Sequence, residues 1–213
     1  MAGYRRDIDR ELDLIEVKVI DLLAVVCADL PEVTRAVLSG GTELGGQLAK
    51  RDRLIDALLP EVEPLVSRQV MLPAPAASDL RFLLTVLRVA PELERSQELE
   101  CHIATRAGPH LAAGLSPYSR MLVQRAGEIA CDLWRRASDC WYQRDASAGP
   151  DLAEVNEEMR ELNASLVAEL TSGQMPLPVT IEMTLIAHFY RRLGDHAVSI
   201  ARRVAYMAGA AAS

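Results

Sequence analysis

The chain has 213 residues, of which half are apolar, 4% aromatic and 25% charged. Such a supply of Leu, Val, Ile and Ala builds a core without large rings; it suits helices packed on helices and argues against a β-sandwich or wholesale disorder. The formal net charge of −7 makes nucleic acid a poor partner, because an acidic surface repels phosphate backbones.

Ile8, Leu12, Ile15, Val19, Leu22 and Val26 recur at spacings of four and three, which puts them on one stripe of a long amphipathic helix. That helix is predicted from about Tyr4 toward Leu38, with Pro31 marking a kink or short break. Gly40-Gly41 ends it. Thr42 starts a second helix carrying Leu48, Leu54, Ile55, Leu58, Leu59 and Val62, which fades before Leu72-Pro73-Ala74-Pro75. Ser78 or Asp79 is placed to cap a third helix with Phe82, Val86, Val89 and Leu93, stopping near Gly108-Pro109. Pro91 inside this pattern predicts a kink, since it removes a backbone hydrogen bond and crowds the preceding turn.

The second half repeats the plan. A helix from about Ser116 to Tyr142 carries Leu122, Ala126, Ile129 and Leu133; Ala148-Gly149-Pro150 turns the chain, with Asp151 as the expected cap. Val155, Met159, Leu162, Leu166 and Leu170 form the next stripe, ended by Ser172-Gly173. Beyond Pro176 and Pro178, a last helix keeps Val179, Met183, Ile186, Tyr190, Leu193, Ala197, Ile200 and Val204 in unbroken four-three spacing. The third and sixth helices align at an offset of 97: Glu94-Arg95-x-x-Glu98 before Ile103-Ala104-x-Arg106 matches Arg191-Arg192-x-x-Asp195 before Ile200-Ala201-x-Arg203. This is an internal duplication. The expected fold is all-α, two tandem three-helix bundles, with residues 1–110 as the first repeat and 111–213 as the second.

The first residues show no apolar signal region, and no stretch reaches the roughly 18 apolar residues of a membrane span. Cys27, Cys101, Cys131 and Cys140 form no CxxC pair, which predicts reduced, mostly buried thiols in a cytoplasmic protein rather than a zinc site. No glycine-rich phosphate loop, Ser-His-Asp set or HExxH is present, so the sequence does not point to an enzyme. His188 and His196 are expected to be surface or half-buried residues rather than acid–base groups.

With Tyr190 as the zero of rotation at about 100° per residue, Arg191 and Asp195 fall on the outward side of the last helix. The matching positions on the third helix set Glu94 and Glu98 on one outward strip, with His102 a turn beyond. Two carboxylates and an imidazole at this spacing are candidate ligands for a transition metal, although a solvated face has the same pattern. The Glu-x-x-His spacing of di-iron bundles is absent.

Ser78-Asp79-Leu80-Arg81-Phe82, then Glu94-Arg95-x-x-Glu98, then Phe189-Tyr190 ahead of Gly194-Asp195-His196-Ala197-Val198-x-Ile200-Ala201 resemble the PhoU family over nearly the whole chain. The resemblance implies two three-helix bundles and a non-enzymatic negative regulator of the phosphate-starvation response. It implies, as partners, the ATPase subunit of the phosphate ABC transporter and a sensor histidine kinase, with the membrane reached only through them. It implies no required cofactor, yet admits iron or zinc on the carboxylate motifs, here Glu94, Glu98, Asp52, Asp56 and Asp195, with His102 nearby. Glu94, Arg95, Glu98, Arg191, Arg192 and Asp195 become the expected partner-binding residues.

The chain departs from the family pattern. Ser96-Gln97 replaces an apolar-Gly pair, and Arg191 stands where the second motif has its first acid. A guanidinium cannot ligate a metal and repels one held beside Asp195. Asn156 and Arg160 stand where the first repeat has Asp52 and Asp56. A metal cluster is therefore expected in the first repeat if anywhere, and a mixed-charge face in the second. The rival reading is a metal-buffering or metal-sensing bundle unrelated to phosphate. A homodimer is compatible with the long apolar stripes.

Overall fold

The computed structural model describes residues 2–51, 58–71, 76–173 and 175–209, apart from the side chains of 2–6, 49–51, 58, 59 and 69. Every regular element among these residues is an α-helix: α1 (Ala2–Ser39), α2 (Glu43–Arg51), α3 (Leu58–Val70), α4 (Ala77–Arg106), α5 (Pro109–Gly114), α6 (Pro117–Gln143), α7 (Ala148–Leu170) and α8 (Leu177–Met207). None of them is long and apolar enough to cross a membrane. Leu54, Ile55, Asp52 and Asp56 lie outside the described residues.

Several expected boundaries move. α1 runs through Pro31 and α4 through Pro91 without a break. α4 begins at Ala77, so Ser78 and Asp79 sit in its first turn and neither caps it. α7 starts at Ala148, ahead of Asp151; the backbone N–H of its flanking residue Ser147 is taken up by Asp145 Oδ1 at 2.8 Å. Ser116 does cap α6, accepting from Ser119 N at 3.0 Å. Arg144, in the left-handed region at φ 56°, closes that helix. The short α5 was not foreseen. It packs where α1 ends, at Gly40 (φ 79°), where a Cβ would stand 2.8 Å from Pro109 Cα.

The helices share one core. α8 packs against α4, α6 and α7, and α1 packs against α4 and α6, so the two repeats are joined along their length. All eight members of the α8 stripe are buried, from Val179 to Val204. Successive contacts climb α4 while descending α8: the Arg88 guanidinium over Tyr206, Glu92 with Ser199, Ser96 with His196, His102 against Phe189, Arg106 with Glu182. These two helices are thus antiparallel, with the motif segments at mid-length of each.

Polar groups enter this core at defined places. Thr34 lies between α6 and α8; its hydroxyl donates to Leu30 O at 3.0 Å and pairs with Tyr190 Oη at 2.8 Å. Gly127 makes that approach feasible, because a Cβ there would stand 2.3 Å from Thr34 Oγ1. Glu100 is 1% exposed, and neither carboxyl oxygen has a hydrogen-bond partner among the described residues. Burial, and then the nearby charge of Asp29, push its pKa well above the ordinary glutamate value. Burial also raises the thiols of Cys27, Cys131 and Cys140 to about 11. None of the four cysteines forms a disulfide, but only Cys140 is fully buried, the other three being half-buried.

Two outcomes are expected. Gly127→Ala gains about 1 kcal/mol of helix propensity but should still lower stability, overpacking costing roughly 1–3 kcal/mol, and adding Thr34→Ala should recover much of it; urea titration reads both. Because the folded pKa of Glu100 is raised, its contribution is complete below about pH 4.5, the unfolded value, and is lost as pH rises toward the folded one. Glu100→Gln, which keeps the shape of the protonated acid, should therefore raise the melting temperature at pH 8 and leave it unchanged at pH 4.

Candidate functional site

The second motif lies where α8 meets α7. Four-three spacing buries Tyr190 and Leu193 inward and leaves Arg191 and Asp195, four residues apart, half-exposed on one side. Both oxygens of Asp195 are occupied. Oδ1 accepts from Asn156 Nδ2 at 2.9 Å and from Arg160 Nη2 at 3.2 Å, while Oδ2 accepts from Arg191 Nη1 at 3.2 Å. Gly194 permits this arrangement, since a Cβ there would stand 2.2 Å from Asn156 Oδ1. Arg160 bonds Glu157 as well, and its guanidinium pKa is raised by the Asp195 contact first and the Glu157 contact second. These exposed pairs are each worth only a few tenths of a kcal/mol. Their consequence is chemical: two guanidiniums and an amide hold the carboxylate where metal ligands would have to stand. The second motif does not fit a metal.

On α4, Glu94 is half-buried while Arg95, Glu98 and His102 are exposed. The His102 ring packs on Phe189 of α8, with centroids 5.6 Å apart, and the Arg106 guanidinium lies 5.2 Å from the same ring. Glu94 and Glu98 thus share an outward strip of the helix. Among the described residues, no group of three or more His, Cys, Asp or Glu side chains could hold a metal ion. The two further acids expected there, Asp52 and Asp56, lie outside the described residues.

A polar contact not foreseen from the sequence joins the two motif helices. His196 is buried, against expectation, with Nδ1 2.9 Å from Ser96 Oγ and Nε2 3.5 Å from Glu92 Oε2. Ser96 Oγ donates to Glu92 O at 2.6 Å. A hydroxyl has one proton, so in the Ser96–His196 bond the imidazole is the donor. Burial lowers the His196 pKa, Glu92 acting against it and Arg192 and Arg95 with it. The order serine, histidine, carboxylate invites comparison with a hydrolytic triad. Ser96 is fully buried, however, and its proton is committed to a carbonyl, so it is a core hydrogen bond and not a nucleophile. The signal for it was the Ser96-Gln97 departure: Ser96 interrupts the apolar stripe of α4 opposite the one histidine of the α8 motif.

The arrangement defines an all-helical scaffold of duplicated design, with a charged motif on the last long helix of each half. The chain belongs to the PhoU domain family, whose model matches residues 19–107 and 123–204. It is 28% identical over 204 residues to the phosphate-specific transport system accessory protein PhoU homolog of Zymomonas mobilis, covering 94% of this chain and 86% of that one. It is 25% identical over 182 residues to PhoU homolog 2 of Mycobacterium tuberculosis, covering 84% and 85% of the two chains. The crystal structure of PhoU from Pseudomonas aeruginosa has the same fold, with a TM-score of 0.82 over 93% of this chain and 97% of that one at 22% identity.

Since Asp195 is held by arginine and amide groups, Asp195→Asn should leave the iron and zinc content of the purified protein unchanged, as read by elemental analysis. A fall in metal content would show that Asp195 is a ligand after all.

Proposed function

We propose that this protein is a non-enzymatic regulator of phosphate uptake and signalling. It holds down the phosphate-starvation response by linking the ATPase subunit of the phosphate ABC transporter to a sensor histidine kinase. It acts on the cytoplasmic side of the membrane, reached through those partners. The observation that carries this reading is the match of the PhoU domain in both halves of the chain. Full-length relatives named phosphate-specific transport system accessory proteins support it further.

The site geometry supports an adaptor rather than a catalyst. One motif strip is acidic, with Glu94 and Glu98 on α4; the other is mixed and arginine-bearing, with Arg160, Arg191 and Asp195 meeting between α7 and α8. Two strips of different charge suit two different partners. Glu94, Arg95 and Glu98 serve one contact, and Arg191, Arg192 and Asp195 the other.

The test is affinity purification from phosphate-replete cells with this chain as bait, read by mass spectrometry. Recovery of the transporter ATPase subunit and a sensor kinase is the expected result, with Glu94→Lys/Glu98→Lys losing one and keeping the other. Recovery of neither would overturn the reading.

A further inference from the structure

α8 buries its apolar stripe completely, yet its opposite face carries a second apolar run. Leu177, Ile181 and Leu185 are 70%, 51% and 37% exposed. They continue into the exposed His188 and Arg192. Relative to Tyr190, all five fall within about 80° on the side away from the core, at about 100° per residue. The strip from Leu177 to Arg192 is roughly 22 Å long at about 1.5 Å per residue. Its first half is apolar and its second half cationic.

The matching face of the first repeat is built differently. At the offset of 97, Leu80 and Leu84 stand in place of Leu177 and Ile181, both half-buried, and the exposed Arg88 stands in place of Leu185. The exposed apolar run is thus a feature of the second repeat, as the arginine-bearing motif is.

Charge at the cationic end is in excess. Arg191 and Arg160 share Asp195, and Arg160 is also satisfied by Glu157. Arg192 is exposed and makes no ion pair or hydrogen bond among the described residues. His188 reports the local field, its pKa being lowered by burial first and then by Arg191 and Arg192. At the apolar end, Arg106 is paired with Glu182. In a protein of net charge −7, this is a localised positive end on an apolar track.

We infer that the outward face of α8 from Leu177 to Arg192 is a docking strip for one amphipathic helix of a partner protein, with apolar residues against Leu177, Ile181 and Leu185 and acidic residues against Arg192 and Arg191. Four turns of such a helix span the strip. Apolar burial supplies the affinity, and the guanidinium cluster sets the direction in which the partner helix lies. A basic partner segment is rejected by the same arginines. The inference rests on the adaptor function proposed above and names the surface and partner chemistry for one of its two contacts.

The test uses the full-length protein and measures binding, by biolayer interferometry, to the purified transporter ATPase subunit and to the purified cytoplasmic part of the sensor kinase from the same cell. Ile181→Glu and Arg192→Glu alter exposed side chains; circular dichroism and melting temperature confirm that the variants fold. Each should weaken binding to one and the same partner by about tenfold or more, while Glu94→Lys/Glu98→Lys leaves that partner's affinity unchanged. Lysine substitution of acidic residues on the partner helix should restore binding to Arg192→Glu. If the wild type binds and both α8 variants bind equally well, the docking strip is overturned and the adaptor function stands. If the wild type binds neither protein, both fall. A wild-type dimer that Ile181→Glu converts to monomer in light scattering would assign the strip to a second copy of this chain and overturn the inference.

Discussion

The structure depends on the enclosure of α8. One helix face bearing Val179, Met183, Ile186, Tyr190, Leu193, Ala197, Ile200 and Val204 is buried against α4, α6 and α7. The valine, leucine, isoleucine and methionine side chains among them each contribute about 1.5–3 kcal/mol when removed from water, so this face outweighs any ion pair on the surface. The enclosure makes the two halves one core. It also fixes the rotation of α8, and with it which residues can reach a partner.

Close approach of helices is obtained by small residues at the points where polar groups cross. Gly127 admits Thr34 to Tyr190, and Gly194 admits Asn156 to Asp195. The second case links fold to function. By letting the amide of α7 stand against α8, Gly194 brings Arg160 and Asn156 onto the carboxylate that Arg191 already reaches. Here α7 and α8 gather guanidiniums around one carboxylate.

Much of this was legible in the sequence. The stripe of α8 is long and uninterrupted, so its buried face and its outward Arg191 and Asp195 could be placed by rotation alone. The Arg191–Asp195 pair follows from four-residue spacing. What was not legible lies in contacts between residues far apart in the chain. Glu100 stands seven residues after Leu93 and three before Ile103, on the apolar stripe of α4, so its burial was signalled by spacing, but its lack of hydrogen-bond partners was not. Likewise Ser96 was visible as a departure, whereas its bond to His196, 100 residues away, needs the antiparallel packing of α4 and α8. Pro31 predicted a kink or short break and Pro91 a kink; neither helix breaks at its proline, Thr34 Oγ1 returning to Leu30 O beside the first and Ser96 Oγ to Glu92 O beyond the second. Capping signals misled where several polar residues cluster, as at Ser78-Asp79 and Asp145 to Asp151.

The proposed role is that of a brake on phosphate acquisition, working through contacts on two unlike strips. The most direct measurement is phosphate uptake, together with expression of a phosphate-starvation reporter, in phosphate-replete cells lacking the gene. The account predicts that uptake and reporter stay high despite abundant phosphate, and that the wild-type gene, supplied again, returns both to their low levels. Normal repression of both in cells lacking the gene would contradict it.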